Sequence, residues 1–125
     1  MIVGTGIDLC EVDRIKIAIE RHGQRFKQRV FTDREIEYCE RKANKFERFA
    51  ARFAAKEAGM KALGTGWRGG IAWRDFEVTN LRSGRPTLAF YGKAAEIAEK
   101  LQVRNIALSL THTAAQAMAQ VILES

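Results

Sequence analysis

The sequence predicts an α+β fold in which a mainly antiparallel sheet packs against one long helix. Three observations predict it. Asn44 to Leu63 is the strongest helical segment: Phe46, Phe49, Ala50 and Phe53 form a stripe at i, i+3, i+4, i+7 spacing, and Gly64 stands at a natural C-cap position. Both ends of the chain carry strand patterns. Met1 to Leu9 alternates, with Val3, Thr5, Ile7 and Leu9 on one side and Ile2, Gly4, Gly6 and Asp8 on the other. Ile106 to His112 and Gln116 to Leu123 read as a closing hairpin, although the Ala-rich second arm also suits a helix. Helices and strands are mixed without regular βαβ alternation, which favours antiparallel pairing.

The remaining elements follow in order. Glu11 to His22 reads as a helix, with Val12, Ile15 and Ile19 as its apolar stripe, acids at its start and Gly23 behind it. Thr32 with Glu35 is a capping-box signature that opens a helix to about Arg41. Thr65 to Gly70 is a Gly-rich loop. Phe76 to Leu81 and Thr87 to Phe90 read as strands around a Ser83-Gly84 turn, and Gly92 to Leu101 as a helix.

A chain of 125 residues, 1–125, builds one domain with a real core and is too short for two. Hydrophobic and charged contents of 46% and 29%, with a single Pro, are those of an ordinary globular protein rather than a disordered one. No apolar run approaches the roughly 20 residues that span a bilayer. Met1 to Leu9 lacks the basic region and long apolar core of a signal peptide, and Asp8 interrupts it. The expectation is a cytoplasmic protein with no membrane partner. Cys10 and Cys39, without close spacing, read as free thiols. A net charge of +6 suits a polyanionic or acidic partner, whether nucleic acid, a phosphate-rich cofactor or an acidic protein; it also serves plain solubility.

The sharpest local anomaly lies in the long helix. Continued at about 100° per residue, its stripe passes through Glu57 and then between Met60 and Lys61. An unpaired carboxylate near the middle of a buried face is costly. Glu57 therefore needs a cation, a hydrogen-bond donor or a place where the stripe leaves the core for a cleft. The plainer alternative is an i, i+4 pair with Lys61 on a solvated face. Asp8 ends the first strand on the side of Gly4 and Gly6, where missing side chains let a backbone or ligand approach. It either caps the helix that follows or joins Glu57 in holding Mg²⁺, which commonly takes one or two protein carboxylates and completes its shell with water and phosphate oxygens.

Other candidates carry less. His112 ends a strand within Ser109-Leu110-Thr111-His112-Thr113, as a structural residue or as a donor beside phosphate. His22 suits a helix C-terminus. The loop Gly64 to Gly70 could offer N–H groups to a phosphate, but it lacks the spacing of a P-loop and opens no helix. Arg14 and Arg21 share one side of the first helix, with Arg25 close behind, as a solvated face or as a landing strip for an acidic partner.

Taken together, Gly6-Ile7-Asp8, Phe53-Ala54-Ala55-Lys56-Glu57-Ala58 with Lys61-Ala62, Gly84-Arg85-Pro86, and Ser109 to Thr113 occur in that order over essentially the whole chain. This pattern resembles the short, single-domain class of 4′-phosphopantetheinyl transferases, the holo-[acyl-carrier-protein] synthases. The F-x-x-K-E-x-x-x-K-A helix combined with an early G-x-D is specific, where either half alone would be weak. The resemblance implies a fold of that type. It also implies transfer of 4′-phosphopantetheine from coenzyme A to a serine of apo-acyl carrier protein, releasing adenosine 3′,5′-bisphosphate, in support of fatty acid biosynthesis. It implies Mg²⁺ held by Asp8 and Glu57, with Glu57 also helping to remove the serine proton. Lys61 would contact the pyrophosphate and protonate the leaving group. Arg52, Gly64, Pro86, His112 and Thr113 would line the coenzyme A site, and Arg14 and Arg21 would dock the carrier. The family is trimeric, with active sites between subunits. One local departure is Gly59 inside the motif helix, where glycine costs about 1 kcal/mol relative to alanine.

Three rival readings make different demands. A nucleic-acid module would need a recognition motif, and the chain has no recognition-helix pattern, RNP-like aromatics or zinc spacing. A metal-dependent phosphohydrolase using Asp8 and Glu57 would turn over without a carrier protein. A basic scaffold would tolerate Glu57→Gln.

Overall fold

The structure is a computed structural model that describes residues 1–66 and 69–125. Along the chain lie β1 (Ile2–Glu11), α1 (Val12–Val30), α2 (Asp33–Glu40), α3 (Lys45–Leu63), a 3-10 turn (Trp73–Asp75), β2 (Phe76–Asn80), β3 (Pro86–Phe90), α4 (Gly92–Lys100), β4 (Asn105–His112) and β5 (Gln116–Glu124). Pairing is antiparallel throughout, in a three-stranded sheet of order β1-β5-β4 and a separate β2-β3 ladder. Among the described residues, no helix is long and apolar enough to cross a membrane.

The long helix α3 is the axis of the core. β1 and β5 pack on one side of it, and α1, α2 and β2 pack on others. Every residue from Phe49 to Lys56 is buried, so the helix is enclosed around most of its circumference rather than along one stripe. Gly64 ends it in the left-handed conformation, φ 77°, as its position predicts. β5 is a strand despite its alanines. Ala117, Ala119, Val121 and Leu123 alternate inward, and the small inner side chains let α3 approach closely.

The expectation that Gly23 ends the first helix needs correction. Gly23, at φ 53° and ψ −131°, breaks α1, but helical backbone resumes and runs to Val30. Phe26 and Val30, one turn apart, pack against the core and hold this second arm in place. His22 does close the first arm, immediately before the break.

α2 opens with the predicted capping box. Thr32 Oγ1 accepts from the Glu35 N–H, and Glu35 Oε1 accepts from the Thr32 N–H at 2.8 Å. Glu35, fully buried, does more than cap. Its second oxygen accepts from the Val78 N–H at 2.8 Å, and its first lies 2.7 Å from Lys56 Nζ, also fully buried. Lys56 Nζ further donates to the carbonyls of Trp73 and Phe76. Burial pushes this ammonium below the ordinary lysine value, against the pull of Glu35. Cys10 and Cys39 are free and buried, and burial raises their thiols to about 11 and about 12.

Candidate active site

Two glycines set the position of the site. A Cβ built on Gly4 would fall 2.1 Å from the Ala62 carbonyl oxygen, and one on Gly6 only 1.9 Å from that of Ala58. Backbone therefore lies directly on backbone. Two strand residues advance about 6.8 Å and four helix residues about 6 Å, so these contacts step along β1 and α3 together in opposite directions. Asp8 is next on the same inward face of β1, and it meets the flank of α3 that carries Glu57 and Lys61.

Lys61 leans back toward the helix N-terminus, as helical side chains do. Its Nζ donates to Asp8 Oδ1 at 3.1 Å and to the Ile7 carbonyl at 3.0 Å. The Asp8 side chain is 17% exposed and that of Lys61 55%, so the ammonium reaches the pair from solvent. Glu57 is half-buried on a helix otherwise enclosed at that level, and its carboxylate has no hydrogen bond among the described residues. Burial raises its carboxyl above the ordinary value of 4.5, and Asp8 raises it further; Lys61 and Arg14 oppose them. At Glu57 the stripe leaves the fully buried face of α3. The i, i+4 pair is not formed, because Lys61 turns to Asp8.

Arg14 belongs to this neighbourhood. Its guanidinium lies 5.8 Å from the Phe53 ring centroid and its charge acts on Glu57 and Cys10. Arg21, two turns on and exposed, continues the same basic side of α1, and Arg25 stands beyond the break. Among the described residues, no group of three or more His, Cys, Asp or Glu is arranged to hold a metal. Two facing carboxylates suit a hard cation that keeps water and takes substrate oxygens, as Mg²⁺ does.

The other predicted site residues lie elsewhere in the chain. Arg52 precedes Glu57 by five positions and so points about 140° away around α3. It is 2% exposed, donates to Asn80 Oδ1 at 3.0 Å and lies 4.2 Å from the Tyr38 ring centroid, and its Nε has no partner among the described residues. Asn80 pairs with Pro86 at the end of the β2-β3 ladder, so Arg52 and Pro86 share one corner, beside a cavity of about 210 Å³. His112 stands on β4, opposite Ala117, which in turn faces Cys10 on β1, roughly 10 Å across the sheet. Its Nδ1 lies 3.1 Å from Glu47 Oε1 in the first turn of α3, about 15 Å along the helix from Glu57. The Thr113 hydroxyl accepts the N–H groups of Ala115 and Gln116 and shapes the β4-β5 turn. Gly64 is exposed at the end of α3. The phosphate-cradle reading of Gly64 to Gly70 falls partly on residues 67 and 68, outside the described residues.

One chain thus joins Asp8, Glu57, Lys61 and Arg14, and separately Arg52 with Pro86 and His112 with Thr113. The sequence reading missed Asn80 and Glu47 as partners, and the place of Arg14 beside Glu57. It also missed the structural role of Lys56, although a lysine beside Glu57 inside the apolar run Phe53 to Ala58 was a visible signal. Glu47 and His112 are 65 positions apart, and only folding pairs them.

The sheet order, the glycine-seated helix and the paired carboxylates beside a lysine define a class of protein. The sequence model of the 4′-phosphopantetheinyl transferase superfamily matches residues 4–119, and the chain belongs to that family. Within it, the chain is 70% identical over 125 residues to a holo-[acyl-carrier-protein] synthase of Solibacter usitatus, covering 100% of both. Among solved structures it resembles the holo-[acyl-carrier-protein] synthase of Neisseria meningitidis, with TM-score 0.89, 32% identity and 100% of both chains covered. It also resembles that of Bacillus anthracis in complex with CoA (3′,5′-ADP), with TM-score 0.81, 35% identity, and 100% of this chain and 98% of that one covered.

Proposed function

We propose that this chain, acting as one transferase domain over 1–125, moves 4′-phosphopantetheine from coenzyme A to a serine of apo-acyl carrier protein. The serine oxygen forms a bond to the phosphorus next to the pantetheine arm. The bond from that phosphorus to the bridging oxygen breaks, and adenosine 3′,5′-bisphosphate leaves, giving the holo-carrier protein used in fatty acid biosynthesis. The observation that carries this reading is the cluster of Asp8, Lys61 and a half-buried Glu57 with a raised carboxyl.

Asp8 and Glu57 are the residues that would hold Mg²⁺, and their facing like charges fit a cation between them. When bound there, Mg²⁺ supplies charge neutralisation at the diphosphate. Glu57, whose raised carboxyl is suited to accept a proton, takes the serine proton directly or through water. Lys61, exposed and already within reach of Asp8, turns to the diphosphate and protonates the leaving oxygen. Arg14 and Arg21 present a basic surface next to this cluster for an acidic carrier.

The reading includes a homotrimer in the cytoplasm. Ile7, Leu9 and Met118 lie on the outer face of the sheet at 54%, 52% and 37% exposure, an apolar surface that soluble monomers seldom leave open. A neighbouring copy covering it would bring its Arg52, Pro86, His112 and Thr113 toward Asp8 and Glu57, completing a coenzyme A site that also runs past Gly64.

The test is the intact mass of apo-acyl carrier protein after incubation with this chain, coenzyme A and Mg²⁺. The expected result is a phosphopantetheine-sized gain, lost with chelator and with Glu57→Gln. No gain from a folded sample with several carriers overturns the reading.

A further inference from the structure

We propose that Glu47 is the positioning residue for His112. The inference rests on the reading that His112 meets coenzyme A. Glu47 Oε1 lies 3.1 Å from His112 Nδ1, and both side chains are largely shielded, at 24% and 28% exposure. A carboxylate can only accept, so Nδ1 carries the proton and donates it. With Nδ1 tied to the first turn of α3, Nε2 is the ring nitrogen left for another partner. Fixing one ring nitrogen is what defines the role of the other.

His112 is held from two other directions. Its backbone is paired with Ala117 on β5, and the next residue, Thr113, locks the turn through the Ala115 and Gln116 amides. The backbone is therefore set by the hairpin, and the ring rotamer by Glu47. An acid in the first turn of a helix is favourable by itself, so a purely structural role for Glu47 is the competing account. The two accounts differ in what they predict for the ring. The structural one leaves the His112 tautomer and coenzyme A affinity untouched by Glu47→Ala; the positioning one ties both to it.

The experiment uses the full chain with Glu47→Ala, His112→Ala and the double variant. Nitrogen NMR of the His112 ring is the first readout, and it needs no substrate. The proton is expected on Nδ1 in the parent chain, with that preference lost in Glu47→Ala at unchanged fold. The second readout is kinetic. Each single variant is expected to raise KM for coenzyme A by about tenfold, the scale of one charge-assisted hydrogen bond, with KM for the carrier unchanged. The double variant should be no worse than either single one, as for residues acting as a unit. A ring unaffected by Glu47→Ala, or losses that multiply in the double variant, overturns the positioning role. A ring that responds while His112→Ala leaves KM unchanged overturns the placement of His112 at coenzyme A, and with it any catalytic consequence of Glu47.

Discussion

An ionised Glu57 is at a disadvantage in the folded chain, because burial and Asp8 both favour its neutral form. The consequence for stability has a definite sign. Below 4.5, the ordinary value, folded and unfolded chains are both protonated at this position and nothing is lost. As pH rises past 4.5 the unfolded chain ionises first, so stability falls until the raised folded value is passed, and it stays lower above that. Glu57→Gln removes this loss. Denaturant titration should find the variant more stable than the parent at pH 7 and equal to it near pH 4, while kcat drops about 10²–10⁴-fold. The position of Glu57 was legible in the sequence, because an acid interrupting an apolar helical stripe needs a reason. The partner of Lys61 was not. The i, i+4 spacing pointed to Glu57, whereas the bond goes to Asp8, 53 positions away.

At the scale of elements, the contact of β1 with α3 decides where Asp8 stands. Gly6→Ala places a Cβ against the Ala58 carbonyl, which is backbone and cannot rotate aside. The two elements must separate, at a cost of about 1–3 kcal/mol. Because Asp8 rides on the same strand, transferase activity should fall by more than the loss of folded protein explains, a difference that a thermal melt run beside the mass assay resolves. The alternation of β1 and its glycine side could be read from sequence, but not which helix carbonyls would meet it. The second arm of α1 was missed for a physical reason. A glycine at positive φ ends a helix or merely breaks it, and what decides is whether the following residues find a core, as Phe26 and Val30 do.

For the whole molecule, Arg52, Pro86 and His112 stand apart from Asp8 within one chain, and the proposed trimer is what would bring them together. Arg52 and Glu57 point apart around one rigid helix, so no side-chain motion within a chain unites them. Ile7→Glu puts a charge on the exposed outer face without entering the core. Light scattering should find the parent trimeric and the variant monomeric, folded and inactive. A trimeric, active Ile7→Glu protein would sink the interface assignment. Sequence pattern marked Ile7 and Leu9 as one face of a strand, but could not tell an inner face from an outer one. That depended on which side α3 chose, and the glycines made the choice.

The carboxylate of Glu35 binds the Thr32 amide, the Val78 amide and the Lys56 ammonium at once. The start of α2, the middle of β2 and the centre of α3 therefore share one anchor. Local fraying of α2 would strand a buried lysine and a buried strand amide together, so this part of the molecule opens as a single cooperative block. The Val78 amide should be among the last to exchange with deuterated solvent, on the timescale of global unfolding.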